Sequence, residues 1–114
     1  MLIEQIIHQL GIYSVYRGYP YLIYAIQISL ENEDRLRHVT KELYSEIARH
    51  FECNIPGIER SLRTVITQCW EYGNREYLME LAGHKLYRKP SPGEFISIVT
   101  YYVRLQAHNS SHPI

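Results

Sequence analysis

The sequence has no surplus of charge of either sign, since 12 Lys and Arg balance 12 Asp and Glu. Phosphate contacts are the largest sequence-independent contribution to nucleic-acid binding, so this balance argues mildly against a nucleic-acid-binding protein.

Long hydrophobic runs are lacking too. The stretch 22–30 is interrupted by Tyr24, Gln27 and Ser29 and is much shorter than the ~20 residues of a membrane span. We therefore predict no transmembrane segment and no membrane partner.

Cysteine is scarce, with only Cys53 and Cys69. The two form no CxxC motif, which is typical of a reducing compartment, and we expect both to be packing residues.

Among the histidines, a single pair has the i,i+4 spacing of metal ligands, His108 and His112, and it lies in the tail that is predicted to be disordered. We therefore predict no metal site and no cofactor. No Ser-His-Asp or Cys-His arrangement is indicated, which argues against catalytic residues, an enzyme and a small-molecule substrate. The acidic start at Glu4 is unlike a signal peptide and favours a cytoplasmic protein.

The charges that are present are unevenly distributed along the chain. Residues 1–34 hold one base against four acids (net −3), and residues 35–75 hold seven bases against five acids (+2). Residues 76–82 hold two acids (−2), and residues 83–114 hold four bases against one acid (+3). A basic face built from the middle and the C-terminal end is therefore compatible with a neutral total.

Apolar residues recur at helical spacing, which predicts a single all-α domain over residues 1–106 and a disordered tail over 107–114. Gly11 is expected to end the first helix, Thr40 to cap the third, and Ser91-Pro92-Gly93-Glu94 to form a capping box at the sixth. The six predicted helices cover residues 2–10, 19–31, 40–50, 55–72, 75–82 and 91–106.

The third and fourth helices are joined by only about four residues, which is typical of a helix-turn-helix. Pairs of this kind also occur in folds that do not bind DNA. A step of ~100° per residue places the apolar residues of the fourth helix on one arc, namely Ile58, Leu62, Val65, Ile66 and Cys69. The opposite side collects Pro56, Arg60, Arg63, Thr64 and Thr67, with Glu59 at its edge.

The exposed side of this fourth helix carries residue types that recognise DNA bases. Arg binds guanine through two hydrogen bonds, Glu accepts from the cytosine amine, and Thr bonds a phosphate or contacts a thymine methyl. The alternative is an ordinary solvated face with a Glu59–Arg63 pair, which is worth only a few tenths of a kcal/mol.

Beyond these patterns, the sequence resembles the C-terminal effector domain of the stage-zero sporulation regulator, a response-regulator transcription factor of endospore-forming bacteria. The similarity extends over nearly the whole chain. It is carried by Ile6-Ile7-His8, Gly18-Tyr19, Tyr21-Leu22, Ala25-Ile26, Thr40-Lys41, Leu43-Tyr44, Ile47-Ala48, Phe51, Glu59-Arg60, Arg63, Trp70, Gly73-Asn74, Lys89-Pro90 and Glu94-Phe95-Ile96.

This resemblance implies a six-helix fold whose third and fourth helices form the helix-turn-helix. It also implies sequence-specific binding to promoter boxes in double-stranded DNA, often as a tandem pair of domains, in the bacterial cytoplasm and at the nucleoid. The family's recognition helix falls on residues 56–64, and Glu59, Arg60 and Arg63 match it as they stand. From helix ends and charge we add phosphate contacts at Thr40, Lys41 and Lys89.

The sequence departs from the family at Pro56-Gly57, where Ser-Arg is usual, and at Thr64, where His is usual. It also has no receiver domain, so it is either an excised domain or a stand-alone relative. A helical protein-interaction module that kept the fold and lost DNA binding is the alternative function, which the neutral charge and Gly57 permit.

Aromatic residues raise one further alternative, a stacking platform for single-stranded nucleic acid. Five of the eleven tyrosines cluster around the first loop and the second helix, and we interpret them as packing residues away from the basic middle. They are Tyr13, Tyr16, Tyr19, Tyr21 and Tyr24. Trp70 is interpreted as a core anchor. The sixth helix has Ile96 and Val103 on a different side from its other apolar residues, which predicts a weak self-association surface. Those other residues are Phe95, Ile98, Val99 and Tyr102.

Overall fold

The protein is all-helical in the computed structural model, which describes the backbone of residues 2–111 and the side chains of residues 2–108. The main helices follow the predicted order. They are α1 (Leu2–Gln9), α2 (Gly18–Glu31), α3 (Ser45–Phe51), α4 (Ile55–Thr67), α5 (Arg75–Ala82) and α6 (Pro92–Ser111). A 3-10 turn (Glu33–Leu36) and a π-helical turn (Val39–Tyr44) precede α3, and a second π-helical turn (Gln68–Tyr72) continues α4.

The core forms around α2, which packs mainly against α4 and α6. The sequence of α2 is apolar on most of its circumference, and such a helix is stable only when neighbours cover several of its faces. Leu22, Ala25 and Ile26 are completely buried. The predicted faces of α1 and α4 are confirmed as parts of the same core. Its members from these two helices are Ile3, Ile6, Ile7, Ile58, Leu62, Val65 and Ile66.

Local sequence signals set several helix ends where they were predicted. Gly11 and Gly83 follow α1 and α5 with φ of 90° and 79°, a left-handed conformation that glycine adopts without steric cost. The capping box of α6 is also present. The Glu94 N–H donates to Ser91 Oγ (3.2 Å), and the Ser91 N–H donates to Glu94 Oε1 (3.0 Å).

The third helical segment differs from its prediction. It begins at Val39 as a π-helical turn, and the residue before it, His38, makes no capping hydrogen bond with its side chain. Thr40 is therefore not the N-cap but lies inside the turn, where its carbonyl accepts a hydrogen bond from Ser45 Oγ (3.3 Å). The reason is that Arg37 and His38 connect the 3-10 turn to the next segment, and helical backbone already begins at Val39, before Thr40 is reached.

The last helix is longer and more deeply packed than expected. Helical backbone continues to Ser111, past the predicted end at residue 106, while 112–114, including His112, lie outside the described residues. Ile96 and Val103 are buried together with Phe95 and Val99, because α1, α2, α4 and α5 all pack against α6. The inference of surplus apolar surface from Ile96 and Val103 is thus wrong. The self-association predicted from it loses that basis.

Candidate nucleic-acid interface

The junction between α3 and α4 is a tight turn of Glu52, Cys53 and Asn54. Glu52 has a left-handed backbone with φ of 54°, and the Cys53 N–H donates to the Ala48 carbonyl (3.0 Å). Asn54 then caps α4, since its Oδ1 accepts a hydrogen bond from the Gly57 N–H (2.8 Å). Two short helices joined in this way are consistent with the predicted helix-turn-helix.

Helix α4 divides into a buried and an exposed face, as its periodicity predicted. Arg60, Arg63 and Thr64 are exposed, as is Pro56 in the first turn, whereas Glu59 and Gly57 are half-buried. Cys69 and Trp70, in the π-helical turn that follows, are buried. Trp70 is confirmed as a core residue, with the Arg75 guanidinium 4.3 Å above its ring centroid.

Polar contacts within α4 occupy some of the hydrogen-bonding groups that its side chains could use to bind DNA. Arg63 Nε donates to Glu59 Oε1 (3.1 Å), and Arg63 Nη2 lies 3.0 Å from the same oxygen in an ion pair. The Thr64 hydroxyl donates to the Arg60 carbonyl (3.0 Å). This bond uses the single proton of the hydroxyl group, so Thr64 in this rotamer cannot donate a hydrogen bond to a phosphate oxygen. Its methyl group can still contact a base.

The segment before α3 supports one edge of this exposed face. Burial, followed by the nearby charge of Glu59, raises the pKa of Tyr44 to about 12, so Tyr44 stays neutral beneath the Glu59–Arg63 pair. Thr40 and Lys41 are exposed in the same π-helical turn, which packs against α4. Within the described residues, no hydrogen bond or ion pair joins either of these two side chains to α4.

Lys89 approaches α4 from the segment between α5 and α6. Its Nζ donates to Thr67 Oγ1 at 2.9 Å, which fixes an exposed ammonium group on the outer side of the helix. The start of α6 is less open to an anion, because Pro92 has no N–H and the Glu94 N–H is already bonded to Ser91.

Ion pairs with described residues hold several cations away from α4 but none of four cations that lie around it. Away from α4, four arginines are paired with acids: Arg37 with Asp34, Arg49 with Glu46, Arg88 with Glu94 and Arg104 with Glu33. Arg35, Arg75 and Lys85 form no ion pair within residues 2–108. Around α4, the side chains of Arg17, Lys41, Arg60 and Lys89 have no acidic partner within residues 2–108. None of these four cations is held in an ion pair with a described residue, so each is available to an anionic ligand.

Two residues beside α4 were not identified from the sequence. Arg17 lines a cleft of about 230 Å³ together with Gly57 and Arg60. Tyr16 lines a neighbouring cleft of about 380 Å³ with Arg60, Arg63 and Thr64. The interpretation of the tyrosines as lying away from the basic middle is thus wrong for Tyr16. No local motif marks either residue, because only the packing of α2 on α4 brings them there.

The two cysteines have different environments. Cys69 is buried, and burial raises its pKa to about 11, as expected of a packing residue. Cys53 is exposed, because it lies in the turn after α3 rather than on a helix face. The expectation of packing is therefore wrong for Cys53.

Within the described residues no group of three or more His, Cys, Asp or Glu could hold a metal ion. None of the helices described is long and apolar enough to cross a membrane.

These features define a class of protein, a small all-helical domain that presents arginines and short polar side chains on a capped helix beside a second helix. The family model described as sporulation initiation factor Spo0A C terminal matches residues 3–103, and the chain belongs to this family. The family consists of DNA-binding domains of the sporulation regulator, which act in transcription regulation. It is not a family of enzymes.

Proposed function

We propose that the chain is a sequence-specific transcription regulator in which α4 enters the major groove of duplex DNA. The observation that carries the proposal is the environment of Arg60. It lies opposite the buried face of α4, is exposed, and has no acidic partner within the described residues. A major groove about 12 Å wide accommodates one α-helix, and the residue farthest from the protein core then faces the base edges.

Each exposed residue of α4 has a chemically distinct role in this arrangement. Arg60 donates two hydrogen bonds to guanine. Glu59 and Arg63 act as a unit: their ion pair (3.0 Å) holds both groups at the protein surface, and Glu59 accepts from a cytosine amine. The Thr64 methyl contacts a thymine methyl, and Pro56 shapes the first turn of the helix. Lys41 and Lys89 bind phosphates, with Thr40 beside Lys41.

The decisive experiment compares binding to the family's promoter box and to a scrambled duplex over a range of salt concentrations. The wild type is expected to prefer the box, with an affinity that falls as salt rises. Arg60→Ala should weaken binding to the box by roughly ten-fold to one-hundred-fold, as loss of a bidentate base contact does. Arg37→Ala is the matched control, because Arg37 is exposed but paired with Asp34 at the far end of α2.

The Glu59→Ala variant distinguishes recognition of a base from charge attraction to the phosphates. Glu59→Ala removes a negative charge from the interface, so it should tighten binding to the scrambled duplex. If Glu59 accepts a hydrogen bond from a cytosine, the same variant should weaken binding to the box. Tighter binding to both duplexes would contradict a base-recognition role. A wild type that binds neither duplex in a salt-dependent way would favour the protein-interaction module instead.

A tandem pair or a weak homodimer on DNA is part of the same proposal. The burial of Ile96 and Val103 leaves Tyr101 (62% exposed) and Leu105 (40% exposed) as the main apolar groups on the surface of α6. This area is small for a stable dimer. We therefore expect pairing only when two adjacent boxes hold the domains together, in the bacterial cytoplasm and on the nucleoid.

A further inference from the structure

The loop between α1 and α2, residues 10–17, is fixed along the side of α4. At its start, the Leu10 carbonyl accepts a hydrogen bond from the Asn74 N–H (3.1 Å). Gly11 lies so close to the chain after α4 that a Cβ there would be 2.8 Å from the Gly73 Cα. The loop therefore begins at the C-terminal end of the α4 segment.

The end of the loop is fixed at the middle of α4. A Cβ on Gly18 would overlap the Ser61 carbonyl oxygen and lie 3.0 Å from Val65 Cγ1, so only glycine allows the first turn of α2 to approach α4 this closely. With both ends anchored, the loop runs back along one flank of α4, from its C-terminal end to its middle.

The loop is also internally ordered. Ile12 is completely buried. The Tyr16 N–H donates to the Tyr13 carbonyl (3.2 Å), and the Tyr19 N–H donates to the Tyr16 carbonyl (3.0 Å), which makes two successive turns. These constraints hold Tyr16 and Arg17 in fixed positions beside α4, so binding there would not require ordering a flexible segment.

The polar groups of this loop adjoin the residues proposed to contact bases. Arg17 shares its cleft with Gly57 and Arg60, and Tyr16 shares the neighbouring one with Arg60, Arg63 and Thr64. Arg17 is exposed and unpaired within the described residues. Tyr13, at the outer side of the loop, is 52% exposed.

We propose that this loop is a second DNA-binding element, in which Arg17 binds a backbone phosphate and the Tyr16 hydroxyl donates to the same strand. The inference rests on the proposed function of α4. A helix with its side chains is about 10–12 Å across and the major groove is about 12 Å wide, so a segment lying directly against the flank of an inserted helix meets the wall of the groove. That wall is formed by phosphates, for which arginine is well suited.

A phosphate contact at Arg17 has a definite signature in binding. Arg17→Ala should weaken binding to the box and to the scrambled duplex by the same factor, about ten-fold at low salt. The slope of log affinity against log salt should decrease by about one unit. Arg17→Lys should keep the wild-type slope, because it keeps the charge. Tyr16→Phe should cause a smaller loss with an unchanged slope, because it removes a donor but no charge.

Neutralised phosphates locate the contact on the DNA. Box duplexes that carry a single methylphosphonate, placed in turn along each strand, should reveal one position at which the wild type is weakened and Arg17→Ala is not. Such coupling between one side chain and one phosphate is what a direct contact requires. Arg37→Ala serves as the control, and circular dichroism with thermal melting checks that Arg17→Ala is folded.

The possible failures are distinguishable. If Arg60→Ala loses the box preference while Arg17→Ala keeps both the wild-type affinity and the wild-type salt slope, the inference about the loop is overturned and α4 stands as the recognition helix. Loss of affinity confined to the box would also overturn the phosphate assignment. If the wild type shows no salt-dependent binding to either duplex, the proposed function itself fails.

Discussion

Asn54 and Gly57 are linked by the hydrogen bond that begins α4, with the Gly57 N–H donating to Asn54 Oδ1 at 2.8 Å. A Cβ on Gly57 would lie 3.1 Å from that same oxygen. Any side chain at 57 must therefore displace the cap by a few tenths of an ångström. The family usually has Arg at this position, and an Arg at 57 in this chain would require the Asn54 side chain to shift.

Gly57→Arg is expected to tighten binding to the family's promoter box by roughly ten-fold relative to a scrambled duplex, because the first turn of a recognition helix lies deepest in the groove. Gly57→Ala is the matched control. The helix propensity gained over glycine, up to ~1 kcal/mol, is offset by the strained cap, which is worth about as much. Both variants should thus unfold at nearly the wild-type urea concentration. Equal tightening on both duplexes would show that the new Arg contacts only phosphate.

Lys89 is predicted to contact a phosphate, since its Nζ is fixed beside α4 by Thr67 (2.9 Å). Lys89→Ala should weaken binding to all duplexes alike and reduce the salt slope by about one unit. Lys85→Ala provides the control, being an exposed lysine in the same segment. Fluorescence anisotropy titrations at several salt concentrations measure both effects. A loss restricted to one DNA sequence would mean that Lys89 contacts a base.

Thr100 is a site where a substitution should stabilise the protein. Its side chain is 1% exposed, and its hydroxyl has no hydrogen-bond partner within the described residues. Thr100→Val keeps the volume and removes this unpaired group, so the free energy of unfolding should rise by about 1 kcal/mol. Thr100→Ala should instead be destabilising because it leaves a cavity. Urea midpoints test both, and a lower midpoint for the Val variant would refute the assignment.

Glu46 should contribute stability that depends on pH. Hydrogen bonds from Arg49 and then from the Tyr24 hydroxyl lower the pKa of Glu46 from 4.5 to about 2. A carboxylate with a depressed pKa stabilises the folded state above its unfolded pKa, and this contribution is lost as the pH falls from 4.5 towards 2. Wild type should therefore exceed Glu46→Gln in stability at neutral pH.

The measurement is urea unfolding of wild type and Glu46→Gln at pH 7, 4 and 3. The difference between the two should shrink steadily as the pH falls below 4.5. Glu31→Gln serves as a control, because Glu31 is exposed and makes no side-chain hydrogen bond or ion pair within residues 2–108. A difference that stays constant down to pH 3 would contradict the proposed role of the Arg49 and Tyr24 bonds.

The sequence by itself determined the features that depend on residues close together in the chain. The two faces of α4 follow from the helical repeat alone, and Ile58, Leu62 and Val65 are buried as predicted. The capping box at Ser91 and Glu94 spans a single turn, so its chemistry is complete within the motif. Family resemblance added the identity of the domain, which the family match confirms over residues 3–103.

The tertiary structure alone decided features that depend on how the helices pack. Arg17 and Tyr16 lie in an acidic third of the sequence, yet the close approach of Gly18 to Ser61 places them beside α4. Ile96 and Val103 looked like a second face of α6, but four other helices cover a wider arc of it. In each case the partner is distant in sequence, so no local pattern encodes the contact. Only the folded chain shows which basic groups are left without an acid.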